Sequence, residues 1–307
     1  YLSDPSAILM PHLFSPWLAA PVGAILLAFN VQAGPVLDRI HSTQTITIGY
    51  RANSAPMSYE DKGRVIGYAV DVCQRIASAF QQQLKLPKLA VRYVPVTAAE
   101  HIAALQEGRI DLECAGTTNT KARREQAAFG LTYFYAGASV LVRDGEGIGG
   151  LNDLGGKTLA AVKGTTGQQV VEMRERDGRA GWKLALFDNT RAAVEALEQG
   201  KVDAVIQDNI QLVPLARQSG KKLVLAGQPL SIEPLAPMFA RNDPELAEGV
   251  LAAMRQIYRD GEMAPLYERW FLKPLPGRTF GLDLKLNPLL NDNFRRPSSY
   301  VTDWAVL

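Results

Sequence analysis

Apolar and polar positions change period repeatedly along the chain. Thr45–Tyr50 (TITIGY) is β-branched and alternating, which predicts a strand, and Arg51 follows it directly. Residues 53–67 are rich in turn formers. Residues 71–83 have helical spacing, with Val70, Cys73, Ile76, Ala77 and Phe80 on one stripe and Asp71 in the first turn, where an acid suits the helix dipole. A strand over 89–96, a helix over 100–107 stopped by Gly108, and a strand over 110–115 complete a β-α-β-α-β order. That alternation predicts an open, mainly parallel sheet. A second alternating region predicts a strand at 159–162, a helix at 167–177, a strand at Lys183–Phe187, a helix at 190–199 and a strand at 204–207. A short strand at 237–240, an amphipathic helix at Pro244–Arg259 and a helix at 263–271 follow. Beyond Lys273 the chain is rich in proline and asparagine and has no period, so the tail is expected on the surface or partly disordered.

The two regions share a near-repeat. Residues 104–112 read ALQEGRIDL and residues 196–204 read ALEQGKVDA, so helix end, glycine stop, basic residue, aspartate and strand recur in register. Two related lobes follow. In that register the first strand runs out at Gly116 and the second at Asp208. Open α/β sheets bind ligands beyond the carboxyl ends of their strands. The first lobe offers the stretch DLECAGTTNTKAR at 111–123, with the hydroxyls of Thr117 and Thr118, free backbone N–H groups and the planar cation of Arg123, a set suited to a carboxylate. The second offers the carboxylate of Asp208. An arginine facing an aspartate across a cleft suits a zwitterion, and a neutral sugar would not need it. Lys163-Gly164-Thr165-Thr166-Gly167 stands between a strand and a helix and adds a second anion-friendly edge through Thr165 and Thr166.

Composition narrows the classes. With 307 residues, 47% hydrophobic and 21% charged, the chain can bury a sizeable core in two compact units. A net charge of +2 without a basic run interleaved with aromatics argues against nucleic acid. The apolar run at 17–29 ends in Val31-Gln32-Ala33, the small-x-small pattern of signal-peptide cleavage, so residues 1–33 are expected to be an export signal cut after Ala33 or else a membrane leader. The two cysteines, Cys73 and Cys114, fit either a disulfide in an oxidising compartment or two separate buried thiols. Gly145, Gly147 and Gly150 satisfy G-x-G-x-x-G but precede no helix of dinucleotide-binding length, and the three histidines show no zinc spacing. No catalytic residue, metal or cofactor is assigned.

Residues 58–63 with 67–71, the block LQEGRIDLECAGTTNTKARREQAAF, the KGTTG turn and the closing GEMAPLYERWF together resemble the periplasmic polar amino-acid-binding proteins of ABC importers, solute-binding protein family 3, and most of all their glutamate/aspartate-binding branch. The likeness covers roughly residues 45–271. It implies an α/β, two-lobed, periplasmic-binding-protein-like type II fold: two mixed open sheets flanked by helices, with a ligand cleft between lobes that close by hinge motion. One lobe would comprise residues 35–137 plus 237–272 and the other 138–236, with a tail at 273–307. It further implies a periplasmic monomer that is not an enzyme, captures an amino acid and delivers it to an ABC permease. A cyclohexadienyl-dehydratase-like enzyme or a ligand-sensing domain on the same fold are the alternatives.

By the same resemblance, Arg123 with Thr118 and the Thr165 turn would hold the α-carboxylate, Asp208 the α-ammonium, and Arg51 the side chain. Ala98 and His101 stand where the branch has a serine and an arginine, Thr190 where it has a histidine, and Gly116 where it has a serine. Losing a cation and several hydroxyls argues against tight glutamate or aspartate binding, because a buried carboxylate short of partners is costly. His101 and Thr190 would then help select a related amino acid or derivative. The branch's cysteine partner for Cys114 is missing near Pro237, which leaves Cys73 as the only intrachain candidate.

Overall fold

Two mixed five-stranded sheets organise the computed structural model, which describes residues 35–179, 181–298, 301 and 305–306. The expected leader and its cleavage site lie outside the described residues. In the first sheet Ala90–Pro95, Thr45–Tyr50 and Leu112–Glu113 run parallel, followed by Met238–Phe239 and Ala128–Phe129 in antiparallel pairing. In the second, Lys183–Phe187, Thr158–Val162 and Ala204–Asp208 run parallel, with Ala138–Arg143 and Leu223–Ala226 added antiparallel. The chain passes from the first sheet to the second through Phe134–Ala136 and returns through Ser231–Leu235. These two crossing segments pair antiparallel, with Glu233 opposite Ala136 and Leu235 opposite Phe134. The α/β class with two mixed sheets and flanking helices is the architecture the sequence led one to expect.

The near-repeat has a direct structural meaning. Helices His101–Gln106 and Thr190–Glu198 both stop at a left-handed glycine, Gly108 at φ 67° and Gly200 at φ 70°. Three residues later Asp111 accepts the Thr47 N–H at 2.7 Å, and Asp203 accepts the Thr158 N–H at 2.7 Å. The N–H groups of the same aspartates donate to the carbonyls of the same threonines. The motif therefore encodes a helix stop and a carboxylate that fixes the next strand beside the central one.

The first lobe packs around Trp270, Tyr68, Phe80 and Phe271, all fully buried. A disulfide between Cys73 and Cys114, Cα atoms 6.4 Å apart, fastens helix Tyr68–Gln83 to the end of strand Leu112–Glu113. The tail departs from expectation. It is neither purely superficial nor without period: Leu275, Leu282 and Leu290 are buried in the first-lobe core, and Pro288–Arg295 forms a helix capped by Asn287. Proline at the first helical position is compatible with a helix, so the proline-rich composition hid a real start signal. The helix predicted at 263–271 changes to a π turn at Glu268–Leu272. Among the described residues no helix is long and apolar enough to cross a membrane.

Candidate ligand-binding site

The carboxyl ends of four strands converge between the sheets. Thr45–Tyr50 delivers Arg51, Leu112–Glu113 leads into Gly116–Thr118, Thr158–Val162 leads into the turn at 164–166, and Ala204–Asp208 ends on its own carboxylate. Thr120 caps the short helix Lys121–Arg124 by accepting the Arg123 N–H, which brings that side chain back over the strand end. Arg123 donates through Nη1 to the Thr118 carbonyl at 2.9 Å and through Nη2 to the Gly164 carbonyl at 3.0 Å, so one guanidinium touches both lobes. The lobes also meet as backbone: a Cβ on Gly164, at φ 74°, would fall 2.5 Å from the Ala98 carbonyl oxygen.

Arg51, Thr117, Thr118, Arg123, Thr165, Thr166 and Asp208 line one recess, together with Gly116, Gln207 and Gln211. Asp208 is 3% exposed, and its carboxylate accepts a long hydrogen bond from Gln211 Nε2 at 3.5 Å. Burial, reinforced by the nearby carboxylate of Glu233, raises Asp208 well above the usual carboxylate range against the pull of Arg51 and Arg123. Thr165 serves as N-cap of helix Thr166–Arg176, accepting the Gln168 N–H. A cavity of about 360 Å³ adjoins the recess through Arg51, Thr165, Gln207 and Gln211. Residues 51–54, 95–98 and Glu100 wall it on one side; Val162 and residues 188–190 wall it on the other. Thr190 lies in that wall, its hydroxyl donating to Gln211 and accepting from Gln207.

His101 is placed differently from the sequence expectation. It lines neither the recess nor the cavity, and sits behind Arg51, 2% exposed. Arg51 Nη2 donates to His101 Nδ1 at 3.0 Å and to the Thr117 hydroxyl oxygen at 2.9 Å. That geometry puts the imidazole proton on Nε2, and the 3.4 Å approach of Nδ1 to Glu113 is then no hydrogen bond. Burial pushes His101 below the ordinary imidazole range, with Glu113 opposing and Arg51 adding to the effect.

Two buried acids escaped sequence reasoning. Glu233, on the returning segment, accepts the Thr118 and Thr166 hydroxyls on Oε2 at 2.6 Å each, and the Ser231 hydroxyl on Oε1 at 2.6 Å. One hydroxyl comes from each lobe, so the crossing strand holds both edges of the recess. Glu113 stands behind Arg51. Burial alone would raise its pKa, but the Arg51 guanidinium, with the Thr117 hydroxyl donating to it, brings it below the usual range. An acid between Leu112 and Cys114 in a core strand was a readable signal. Glu233 offered none comparable, since its threonine partners lie 115 and 67 residues away.

Two lobes joined by paired crossing strands, with charged and hydroxylated groups converging on the cleft from both, define a type II binding protein. The chain belongs to the bacterial extracellular solute-binding proteins, family 3, whose family profile matches residues 46–273. It is 30% identical over 270 residues to a glutamate/aspartate import solute-binding protein of Salmonella typhimurium, covering 87% of this chain and 89% of that one. Among solved structures, it is similar to an ancestral arginine-binding protein bound to arginine, with 32% identity, a TM-score of 0.68 and coverage of 74% of this chain and 98% of that one. It is also similar to an ancestral amino-acid-binding protein that is a precursor of cyclohexadienyl dehydratase, with 30% identity, a TM-score of 0.65 and coverage of 78% and 99%.

Proposed function

We propose that this chain captures a free amino acid or related zwitterion outside the cytoplasmic membrane, as a monomer, and hands it to an ABC importer. The reading rests above all on Asp208, a buried carboxylate of one lobe lining a recess with Arg123 and Arg51 of the other. In it Arg123, Thr118 and the Thr165 turn hold the α-carboxylate, and Asp208 holds the α-ammonium. A ligand ammonium would give Asp208 the strong partner that it lacks. The adjoining cavity of about 360 Å³ takes the side chain, with Arg51 at its base and Thr190 in its wall. Relatives named for glutamate/aspartate import and for arginine binding support an amino acid as the ligand class.

Binding without turnover is part of this reading: the relatives and similar structures that support it are named for import or binding, and the dehydratase precursor among them is itself an amino-acid-binding protein. Export with cleavage after Ala33 accompanies it. Thermal denaturation with the full set of amino acids tests the function: at least one is expected to raise the melting temperature, and Arg123→Ala or Asp208→Ala to abolish the rise. A panel without any shift in the wild type would overturn the reading, and turnover of prephenate or arogenate would favour the enzyme.

A further inference from the structure

Glu113 is wholly buried and lies outside both the recess and the cavity, immediately behind Arg51. Its Oε1 is 3.3 Å from Arg51 Nη2 and accepts the Thr117 hydroxyl at 2.8 Å, while Oε2 has no hydrogen-bond partner. Arg51 is the cation shared by the recess and the cavity. Its Nη2 is taken up by His101, Thr117 and Glu113. The other ionisable groups around Glu113 leave this pairing intact: His101 accepts from Arg51 as a neutral imidazole, and the Tyr133 hydroxyl accepts the Gly116 N–H.

On the reading that the ligand is an amino acid, we propose that Glu113 is a positioning residue for specificity: its charge cancels that of Arg51, so the cavity favours an uncharged hydrogen-bonding side chain over a carboxylate. Opposite charges this close, inside protein, act at a distance as a dipole and not as a cation. A ligand carboxylate reaching Arg51 would gain the guanidinium's attraction but meet the repulsion of Glu113 behind it, and would keep most of its burial cost. An amide or hydroxyl avoids that conflict and still finds Arg51, Gln207, Gln211 and Thr190 as partners. The acids in the cavity wall, Glu100 and Asp188, act in the same sense, although Lys163 at 2.7 Å offsets Asp188.

L-Glutamate and L-glutamine, nearly isosteric, are the probes. In calorimetry Glu113→Gln, which keeps shape and removes charge, is expected to raise affinity for glutamate relative to glutamine at least tenfold, whereas Glu113→Asp keeps the wild-type order. An unchanged ratio in folded Glu113→Gln overturns the proposal. The wild type offers a second readout independent of any variant. At pH 5, in two buffers of different ionisation heat, glutamate should take up more protons on binding than glutamine, because its side-chain carboxyl has to enter neutral. Asp208 contributes equally with both ligands and drops out of the difference. Equal proton uptake, with glutamate bound as tightly as glutamine, overturns the proposal; a wild type that binds no amino acid at all defeats instead the reading beneath it.

Discussion

Asp208 illustrates how a ligand site costs stability. Its folded-state pKa is raised, chiefly by burial, so the native protein holds a proton there that the unfolded chain has already released. Stability from this residue is therefore greatest at acid pH and is lost as pH rises from the unfolded carboxylate value, about 3.9, through the raised folded one. Asp208→Asn is expected to raise the ligand-free melting temperature at pH 7 by a few degrees, at about 2–4 °C per kcal/mol for a protein of this size, and to leave it nearly unchanged at pH 4. The same substitution should remove stabilisation by amino acids. Scanning calorimetry at the two pH values checks both, and a lower melting temperature at pH 7 would contradict the account. His101 and Glu113 have the opposite sign: both pKa values are lowered on folding, so both favour the native state less as pH falls. Arg123 and the threonines were legible as residues because small, hydroxylated and cationic groups followed one strand in sequence. Glu233, Gln207 and Gln211 were not legible, since their roles come from what stands next to them in space.

At the scale of elements, the turn after strand Thr158–Val162 has to pass close to another backbone. Gly164 combines φ 74° with a missing Cβ that would fall 2.5 Å from the Ala98 carbonyl oxygen, and its own carbonyl receives Arg123. Alanine there adds left-handed strain of about 1–2 kcal/mol and a contact that pushes the lobes apart. Gly164→Ala is expected to weaken amino-acid binding more than tenfold while lowering the ligand-free melting temperature by only a few degrees; titration calorimetry with unchanged affinity would refute the contact's importance. The parallel strands and the helices between them were readable from period, and the ALxxG[KR]xD repeat marked the same helix stop and strand clamp in both lobes, whereas helix Asn209–Gln218 and the antiparallel strands Ala138–Arg143 and Leu223–Ala226 were not foreseen. Ladder lengths were less readable: residues 110–115 pattern as a strand, but only Leu112–Glu113 forms one, because neighbouring pairings govern where a ladder ends.

For the whole molecule, the C-terminal tail is part of the first lobe. Leu290 is fully buried against that core and Asn293 donates to the Thr132 carbonyl at 2.6 Å. Leu290→Ala is expected to lower stability by about 2–5 kcal/mol, the usual cost of such a deletion, and denaturant unfolding measures it. A loss below about 0.5 kcal/mol, the range of surface substitutions, would mean the tail is not packed there. The amino-acid sequence by itself determined the two α/β halves, the repeat that builds them, and the strand ends where Arg51, Thr118, Arg123, Thr165 and Asp208 stand, because period, glycine stops and strand polarity are local properties of the chain. Tertiary structure alone decided that Cys73 meets Cys114, that His101 retreats behind Arg51, that Glu233 gathers one hydroxyl from each lobe, and that Glu113 offsets a cleft arginine. These depend on burial and on partners brought together by the crossing strands and the packing of the lobes, which no spacing along the chain expresses.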